Sequence, residues 1–268
     1  MRVTNYSCFI LLISVVSPSS AAKQNNGRNK TSLVIGGRKV PRGGAPWQVS
    51  IIQNFHLKCG GTLLTNDVVL TAASCIKDVE PAELLVRAGT TAFKTGGKLR
   101  KVRETVYHPK FVENRHSYNI ALLHLKRAFN STNKLFGEVE LFDATAQPPS
   151  SVYIYGWGLS SNKTDTLMTK NLRFTKAKVY SEKKCAEYLL EEDDSDLIFC
   201  AGDRTKISDI CTDDMGSPAI INGNIQYGIV SDGGACSATR TTIFTNVGKH
   251  ASWVERLIAE FSDENVNE

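Results

Sequence analysis

Six cysteines spread between residues 59 and 236 constrain this chain more than any other feature. They are Cys59, Cys75, Cys185, Cys200, Cys211 and Cys236. A seventh, Cys8, opens the apolar run Cys8 to Val16 near the start. Arg2 precedes that run and the small residues Ser19 to Ala22 follow it, so residues 1–21 read as a secretory signal with its cleavage site. The run is about half the roughly 20 apolar residues a membrane span needs, and no later stretch is long enough. Once Cys8 leaves with the signal, an even number of cysteines in an exported chain argues for disulfides. Spacing alone does not choose among the connectivities. A metal site is the competing reading, but the chain has no Cys-x-x-Cys and its 5 histidines are scattered. No metal and no cofactor are expected.

The net charge of +5 misleads, because Arg2, Lys23, Arg28 and Lys30 all precede Val34 and no acid does. From Val34 onward the basic residues exceed the 27 acids by a single charge. A body so nearly neutral has no general drive toward nucleic acid or a membrane surface. Residues 22–33 are polar, basic and poor in core-forming side chains, as in a flexible leader or pro-segment. Beyond the signal, Asn29, Asn130 and Asn162 each open an N-x-[ST] sequon, the acceptor pattern for glycosylation in a secreted chain.

The rest of the chain reads as short strands punctuated by turn residues. Pro46 to Ile51, Val68 to Ala73, Val152 to Gly158 and Gln226 to Ser231 are such segments. Many short strands with glycine-rich turns argue for an all-β barrel or sandwich. Near the end the period changes. Trp253, Val254, Leu257, Ile258 and Phe261 fall on one face of a helix, with Ser262 to Glu268 read as a frayed acidic tail.

Cys211-Thr212-Asp213-Asp214-Met215-Gly216-Ser217-Pro218 resembles the nucleophile loop of trypsin-like serine proteases, Cys-x-Gly-Asp-Ser-Gly-Gly-Pro. Val34-Ile35-Gly36-Gly37, Pro46 to Ser50, Cys59 to Leu63, Leu70 to Ala73, Ile120 to Leu123 and Gly156-Trp157-Gly158 resemble further motifs of that family, in the same order. The resemblance covers nearly everything from Val34 to the end. It implies two six-stranded antiparallel β-barrels followed by a C-terminal α-helix, within a trypsin-like domain over 34–268. Barrel one would run over about 34–137, barrel two over about 138–246 and the helix over about 247–261. It also implies the disulfides Cys59–Cys75, Cys185–Cys200 and Cys211–Cys236.

The residues that carry the family's chemistry are changed. A catalytic serine, histidine and aspartate act there as one device. Met215 stands at the nucleophile position, Ser74 at the histidine of Thr-Ala-Ala-His-Cys, and Asn119 at the aspartate of Asp-Ile-Ala-Leu. Asp213 replaces the glycine whose N–H helps bind the oxyanion. Loss of a triad costs about 10⁶ in turnover, and a lost oxyanion donor roughly 10² to 10³ more. No hydrolysis by this mechanism is expected. Ser217 and His116 are the candidates for a displaced nucleophile and base; the competing reading makes them a loop filler and a surface residue. The specificity pocket is mixed, since Asp209 matches the family's cation-binding aspartate while Asp232 and Thr242 replace a tryptophan and a glycine of its wall. Asp214 keeps the aspartate that pairs with the freed amine of a mature chain. However, Leu33 precedes Val34 where trypsin-type activation requires Arg or Lys.

Two surface segments remain. Lys94, Lys98, Arg100, Lys101 and Arg103 form a basic stretch, read either as a solvated strand edge or as an anion-binding surface for an acidic partner. Thr90 to Gly97 contains no acid, so the calcium site of the trypsin loop is not expected. Glu191 to Asp194 with Asp196 read as an acidic surface turn. The strand motifs, together with Val179-Tyr180-Ser181-Glu182-Lys183-Lys184-Cys185, resemble mite trypsin-like allergens, and the loss of all three triad residues further resembles the inactivated protease paralogues of scabies mites. That implies a secreted protein that binds proteins such as host complement, with no small-molecule substrate. A non-catalytic cofactor of an arthropod protease cascade is the alternative. Such cofactors carry a cysteine-rich amino-terminal module, and no cysteine lies between Cys8 and Cys59. A residual hydrolase with relocated residues is a third reading.

Overall fold

A computed structural model of the chain describes residues 37–130, 132–162, 165–168, 171–202, 214–233 and 241–266. The signal, the leader, Val34, Asp209, Asp213, Cys211 and Cys236 lie outside them. A two-residue strand, β1 (Arg38–Lys39), comes first. Six strands follow: β2 (Gln48–Gln53), β3 (His56–Leu63), β4 (Val68–Thr71), β5 (Leu84–Ala88), β6 (Lys98–Tyr107) and β7 (Ala121–Leu125). They close into a barrel in the order β2-β3-β4-β7-β6-β5, every pairing antiparallel.

The second half contains β8 (Glu140–Leu141), β9 (Ser151–Gly156), the hairpin β10 (Leu159–Asn162) and β11 (Asp165–Met168), then β12 (Arg173–Val179) and β13 (Ile198–Gly202). It ends with β14 (Pro218–Ile221), β15 (Ile225–Asp232) and β16 (Thr242–Asn246). Strands β9, β12, β13, β16, β15 and β14 form a second closed antiparallel barrel, completed by the β14–β9 pairing. β1 joins β12 from outside, and β8 runs parallel to β15. Gly137 lies in the connection between the two barrels, after β7 and before β9. Closure leaves only short stretches of edge, as where Arg173 and Phe174 of β12 take Arg38 and Lys39 of β1 as partners. Within β6 the basic residues Lys98 to Lys101 pair with β5, whereas the pairing with β7 covers Val102 to Tyr107, so Lys98 to Arg100 have no β7 partner and the edge reading of the basic stretch stands for them.

The strands form where the sequence alternates apolar residues, and the barrel fillings follow. Val49, Ile51, Val69, Val86, Val102 and Leu122 are among the fully buried residues of barrel one. Val152, Ile154, Ala219, Val230 and Phe244 fill barrel two, with Phe199 and Phe244 stacked at 4.7 Å. β7 is buried at every position because its outer side is covered too. Its cover is the C-terminal helix, whose Val254, Leu257 and Phe261 join the core of barrel one although the helix follows barrel two in the chain. The ring of His124 on β7 stacks on Phe261 at 4.5 Å. Each large side chain so buried contributes about 1.5–3 kcal/mol.

Two one-turn helices, α1 (Ala73–Ile76) and α2 (Glu182–Cys185), precede the C-terminal helix, α3 (Ala251–Val266). α3 runs beyond the expected end at 261. The hydroxyl of Ser262 donates to the Ile258 carbonyl at 2.8 Å, and Arg256 pairs with Glu260 one turn on. The segment read as a frayed tail is therefore helical as far as Val266. Disulfides join Cys59 to Cys75 and Cys185 to Cys200, with Cα–Cα separations of 6.0 and 5.3 Å. The first fastens α1, and with it Ser74, to β3.

Candidate active site

Ser74 sits in α1, directly after β4, and Asn119 in the turn before β7. The two are 45 residues apart in sequence and in direct contact. The Ser74 N–H donates to Asn119 Oδ1 at 2.8 Å. Asn119 Nδ2 then donates to two hydroxyls, Ser74 Oγ at 3.0 Å and Ser231 Oγ at 2.8 Å. The backbone donor fixes the amide's orientation, since only the oxygen can accept it. Asn119 is 3 % exposed, and its carboxamide makes three hydrogen bonds. An aspartate at this position would receive an imidazole N–H and steady a positive charge. A carboxamide carries no charge to offer.

Ser231 is the extra residue of a β-bulge. Val230 pairs with Phe244 and Asp232 with the next residue back, Ile243, so β15 advances two residues for one on β16. Bulges re-aim side chains, and this one directs Ser231 toward Asn119. The other contact of Ser231 is His116 Nδ1, at 3.0 Å. Ser74, Asn119, Ser231 and His116 thus form one hydrogen-bonded chain joining the barrels. His116 is not a plain surface residue. Its N–H donates to Asp193 Oδ1 at 2.7 Å, and its carbonyl accepts from Thr245 Oγ1 at 2.8 Å.

The acidic turn is likewise more than solvated surface. Asp193 also accepts from Ser117 Oγ at 3.3 Å and from the Leu190 N–H at 3.3 Å. The Asp194 N–H donates to Ser117 Oγ at 2.6 Å. This turn of barrel two is fastened to the His116–Ser117 turn of barrel one. The sequence carried no sign of the pairing, because the residues involved are 76 and 77 positions apart.

Around Met215 the loop keeps its frame. The Met215 carbonyl accepts from the Gly60 N–H at 2.8 Å, and its partly buried side chain packs on the core of barrel one. Gly216 has φ +77°, and a Cβ there would stand 2.5 Å from the Gly60 carbonyl oxygen, so only glycine fits. Asp214 is 3 % exposed, and its Oδ1 accepts from the Gly158 N–H at 2.9 Å. Gly156 leaves room for that carboxylate; a Cβ would lie 2.1 Å from Oδ1. Ser217 is fully buried, and its hydroxyl accepts from Gln48 Nε2 at 3.3 Å. It cannot meet a substrate carbonyl.

Thr242 opens β16, pairs with Ala201 and is 5 % exposed. Asp232, half-buried, ends β15. Asn130 is exposed, and its Oδ1 accepts from both the N–H and the hydroxyl of Thr132, the third residue of its sequon. Asn162 ends β10, and Asn29 lies outside the described residues. Lys94, Lys98 and Lys101 are exposed. Arg100 lies over Phe129 at 4.9 Å, and Arg103, also on β6, is half-buried.

Two histidines lie beside this site, packed with aromatic rings. The His108 ring is 4.8 Å from Tyr118, 5.0 Å from Trp253 and 5.2 Å from His250. Burial, helped by His250 and Lys110, lowers its pKa to about 4. Burial also lowers that of His250, whose Nε2 donates to the Ser117 carbonyl at 3.0 Å. Among the described residues no group of His, Cys, Asp or Glu is arranged to hold a metal ion.

Two closed barrels, their helix and the loop frame around Met215 define a chymotrypsin-type protease architecture. The chain belongs to the trypsin family, which its residues 34–254 match under the description Trypsin. Trypsin Blo t 3 of Blomia tropicalis is 29% identical over 92% of this chain and 97% of its own length. Hypodermin-A of Hypoderma lineatum is 30% identical over 85% of the chain and 88% of its own. Among solved structures, the scabies mite inactivated protease paralogue S-D1 superposes with a TM-score of 0.71 at 25% identity, over 84% of this chain and 97% of that one. Mouse neuropsin, a serine protease, gives 0.72 at 25%, over 83% and 98%. The same architecture thus accommodates a protease and a paralogue described as inactivated.

Proposed function

We propose that this protein is a secreted trypsin homologue that does not hydrolyse peptides and acts by binding other proteins, with host defence proteins such as complement components as partners. The observation that carries this reading is the Asn119–Ser74 pair. The positions that should hold a base and its orienting carboxylate hold a hydroxyl and an amide bonded to each other. Neither takes up a proton near neutral pH, and a thioether at 215 has none to give. The Ser231–His116 contact has the length of a nucleophile–base hydrogen bond. Ser231 is only 4 % exposed, however, and already accepts from Asn119, so a carbonyl carbon has no approach to it. Likeness to a paralogue described as inactivated supports the reading, as do the two disulfides for secretion.

Binding of the mature chain to purified complement components, measured beside hydrolysis of peptide substrates, tests this function. Saturable binding without turnover is the expected result. Turnover that disappears on His116→Ala would favour a hydrolase with relocated residues instead.

A further inference from the structure

The outer wall of barrel one carries apolar side chains where a barrel ordinarily meets water. By register, Ile52 on β2, Leu85 and Arg87 on β5, and Leu99 and Lys101 on β6 share the outer face. Inner neighbours such as Ile51 and Val86 are fully buried. Ile52, Leu85 and Leu99 join Phe55, Leu57 and Phe93 to line a groove of about 270 Å³, with Arg87 and Lys94 in its wall.

Phe55 is the most exposed apolar residue of this lining. With Asn54 it forms the turn between β2 and β3, in left-handed backbone with φ of 50° and 65°. Such a turn favours glycine at its second position, and another residue there costs about 1–2 kcal/mol. The Phe55 side chain is nonetheless 93 % exposed, and Leu99 is 41 % exposed. Folding alone gives no reason for an aromatic at this tip.

Charge around the groove is mostly positive. The β2–β3 hairpin (48–63) and residues 84–103 of the β5–β6 hairpin contain no aspartate or glutamate, the one acid of β6 being Glu104, and they hold Lys58, Arg87, Lys94, Lys98, Arg100, Lys101 and Arg103. Among the described residues, Lys94, Lys98 and Lys101 make no ion pair. Glu83, just before the second hairpin, accepts from Gln53 Nε2 at 2.8 Å. In a body whose charges otherwise nearly cancel, this is a local concentration of cations beside exposed apolar surface.

We propose that the groove is a docking site for an extended acidic segment of a partner protein. Its apolar side chain enters between Phe55 and Leu99, and its carboxylates face Lys94, Lys98 and Lys101. A concave slot of this size suits one or two side chains and gives a flat lipid surface no purchase beyond Phe55. The site deepens the protein-binding function proposed above and rests on it.

The test is fluorescence anisotropy on the mature chain, with a fluorescein-labelled synthetic peptide in which glutamates alternate with leucine and phenylalanine. Saturable binding that weakens with added salt is expected. Phe55→Asn and the pair Lys98→Glu with Lys101→Glu should each weaken it by about tenfold or more. Lys178→Glu, on the other barrel, should not change it. Asparagine tolerates left-handed backbone, so an unchanged melting midpoint for Phe55→Asn separates lost binding from lost fold. Equal binding of a glutamine version of the peptide, or of the Phe55→Asn protein, overturns the proposal. So does binding of phosphatidylserine vesicles or a sulfated polysaccharide where the peptide fails. Mass analysis of the same mixture reads hydrolysis separately. Cleavage with binding retained contradicts the proposed function and supports the groove; neither cleavage nor binding overturns the groove alone.

Discussion

Asn119 and Ser74 are joined by two hydrogen bonds, one to the backbone N–H of Ser74 and one to its hydroxyl. The pair closes a position that in a working protease stays open to a proton. Its amide is buried and hydrogen-bonded, so its present contribution is structural. Asn119→Leu leaves the Ser74 N–H without its acceptor and should destabilise the fold by about 1–3 kcal/mol. A lowered urea midpoint with unchanged slope is the expected readout. An unchanged midpoint would mean that water replaces the amide without loss.

Restoring the three side chains is not expected to restore the enzyme. Met215→Ser, Ser74→His and Asn119→Asp together recreate the residue types. An imidazole at 74 must still displace the hydroxyl network that Ser231 and His116 share with Asn119. Asp213, at the position of the family's oxyanion glycine, and the buried Thr242 also remain. Turnover of an arginyl peptide by this variant should stay within about tenfold of background, since misplacement by 1 Å alone can cost about 10². Brisk cleavage would show that the frame tolerates these obstacles.

Acid should loosen the contact between α3 and the turn before β7. Above pH 6.5 His108 is neutral in both folded and unfolded chains and contributes no pH dependence. As pH falls below 6.5, the unfolded chain takes up a proton that folded His108 refuses until about 4. Stability therefore falls through that window and levels out below it. Protonation also removes the Nδ1 lone pair that accepts from the Lys110 N–H at 3.2 Å. His250, Lys110, Tyr118 and Trp253 all face this ring. His108→Gln should flatten the dependence of melting temperature on pH between 6.5 and 4. Parallel slopes for the two proteins would place the acid sensitivity elsewhere.

Leu33 should make the chain refractory to trypsin-type maturation. Trypsin is expected to nick after Arg28 or Lys30 and not before Val34, as amino-terminal sequencing of the digested product would read. A product beginning at Val34 would show that the leader is trimmed by some other specificity and that a free amine is made for Asp214.

The barrels were legible because ordered motifs such as Gly156-Trp157-Gly158 and Leu70 to Ala73 mark strands and turns that packing leaves little freedom to change. The altered residues at 74, 119 and 215 were legible for the same reason. What replaced the lost chemistry was not. Ser231 bonds to Asn119 across 112 residues, and its aim comes from a bulge that no local pattern announces. Asp193 read as one acid among several until its carboxylate met His116 and Ser117. The outer apolar face is not legible in the sequence, because alternation along β5 and β6 reveals a period of two but not that neighbouring strands bring Leu85 and Leu99 into one groove with Phe55. The end of α3 is not legible either, since a run of acids and polar residues has the composition of a tail, and the Ser262–Ile258 and Arg256–Glu260 contacts that carry the helix on appear only in the fold.

Labelling of the mature chain with a fluorophosphonate, read by intact mass and peptide mapping, tests the central claim most directly. Such reagents form a bond only with a serine whose oxygen is activated by a base and open to solvent. No adduct is predicted at neutral pH, at Ser74, Ser217, Ser231 or any other serine. One phosphonate per chain, at any serine, would contradict the account.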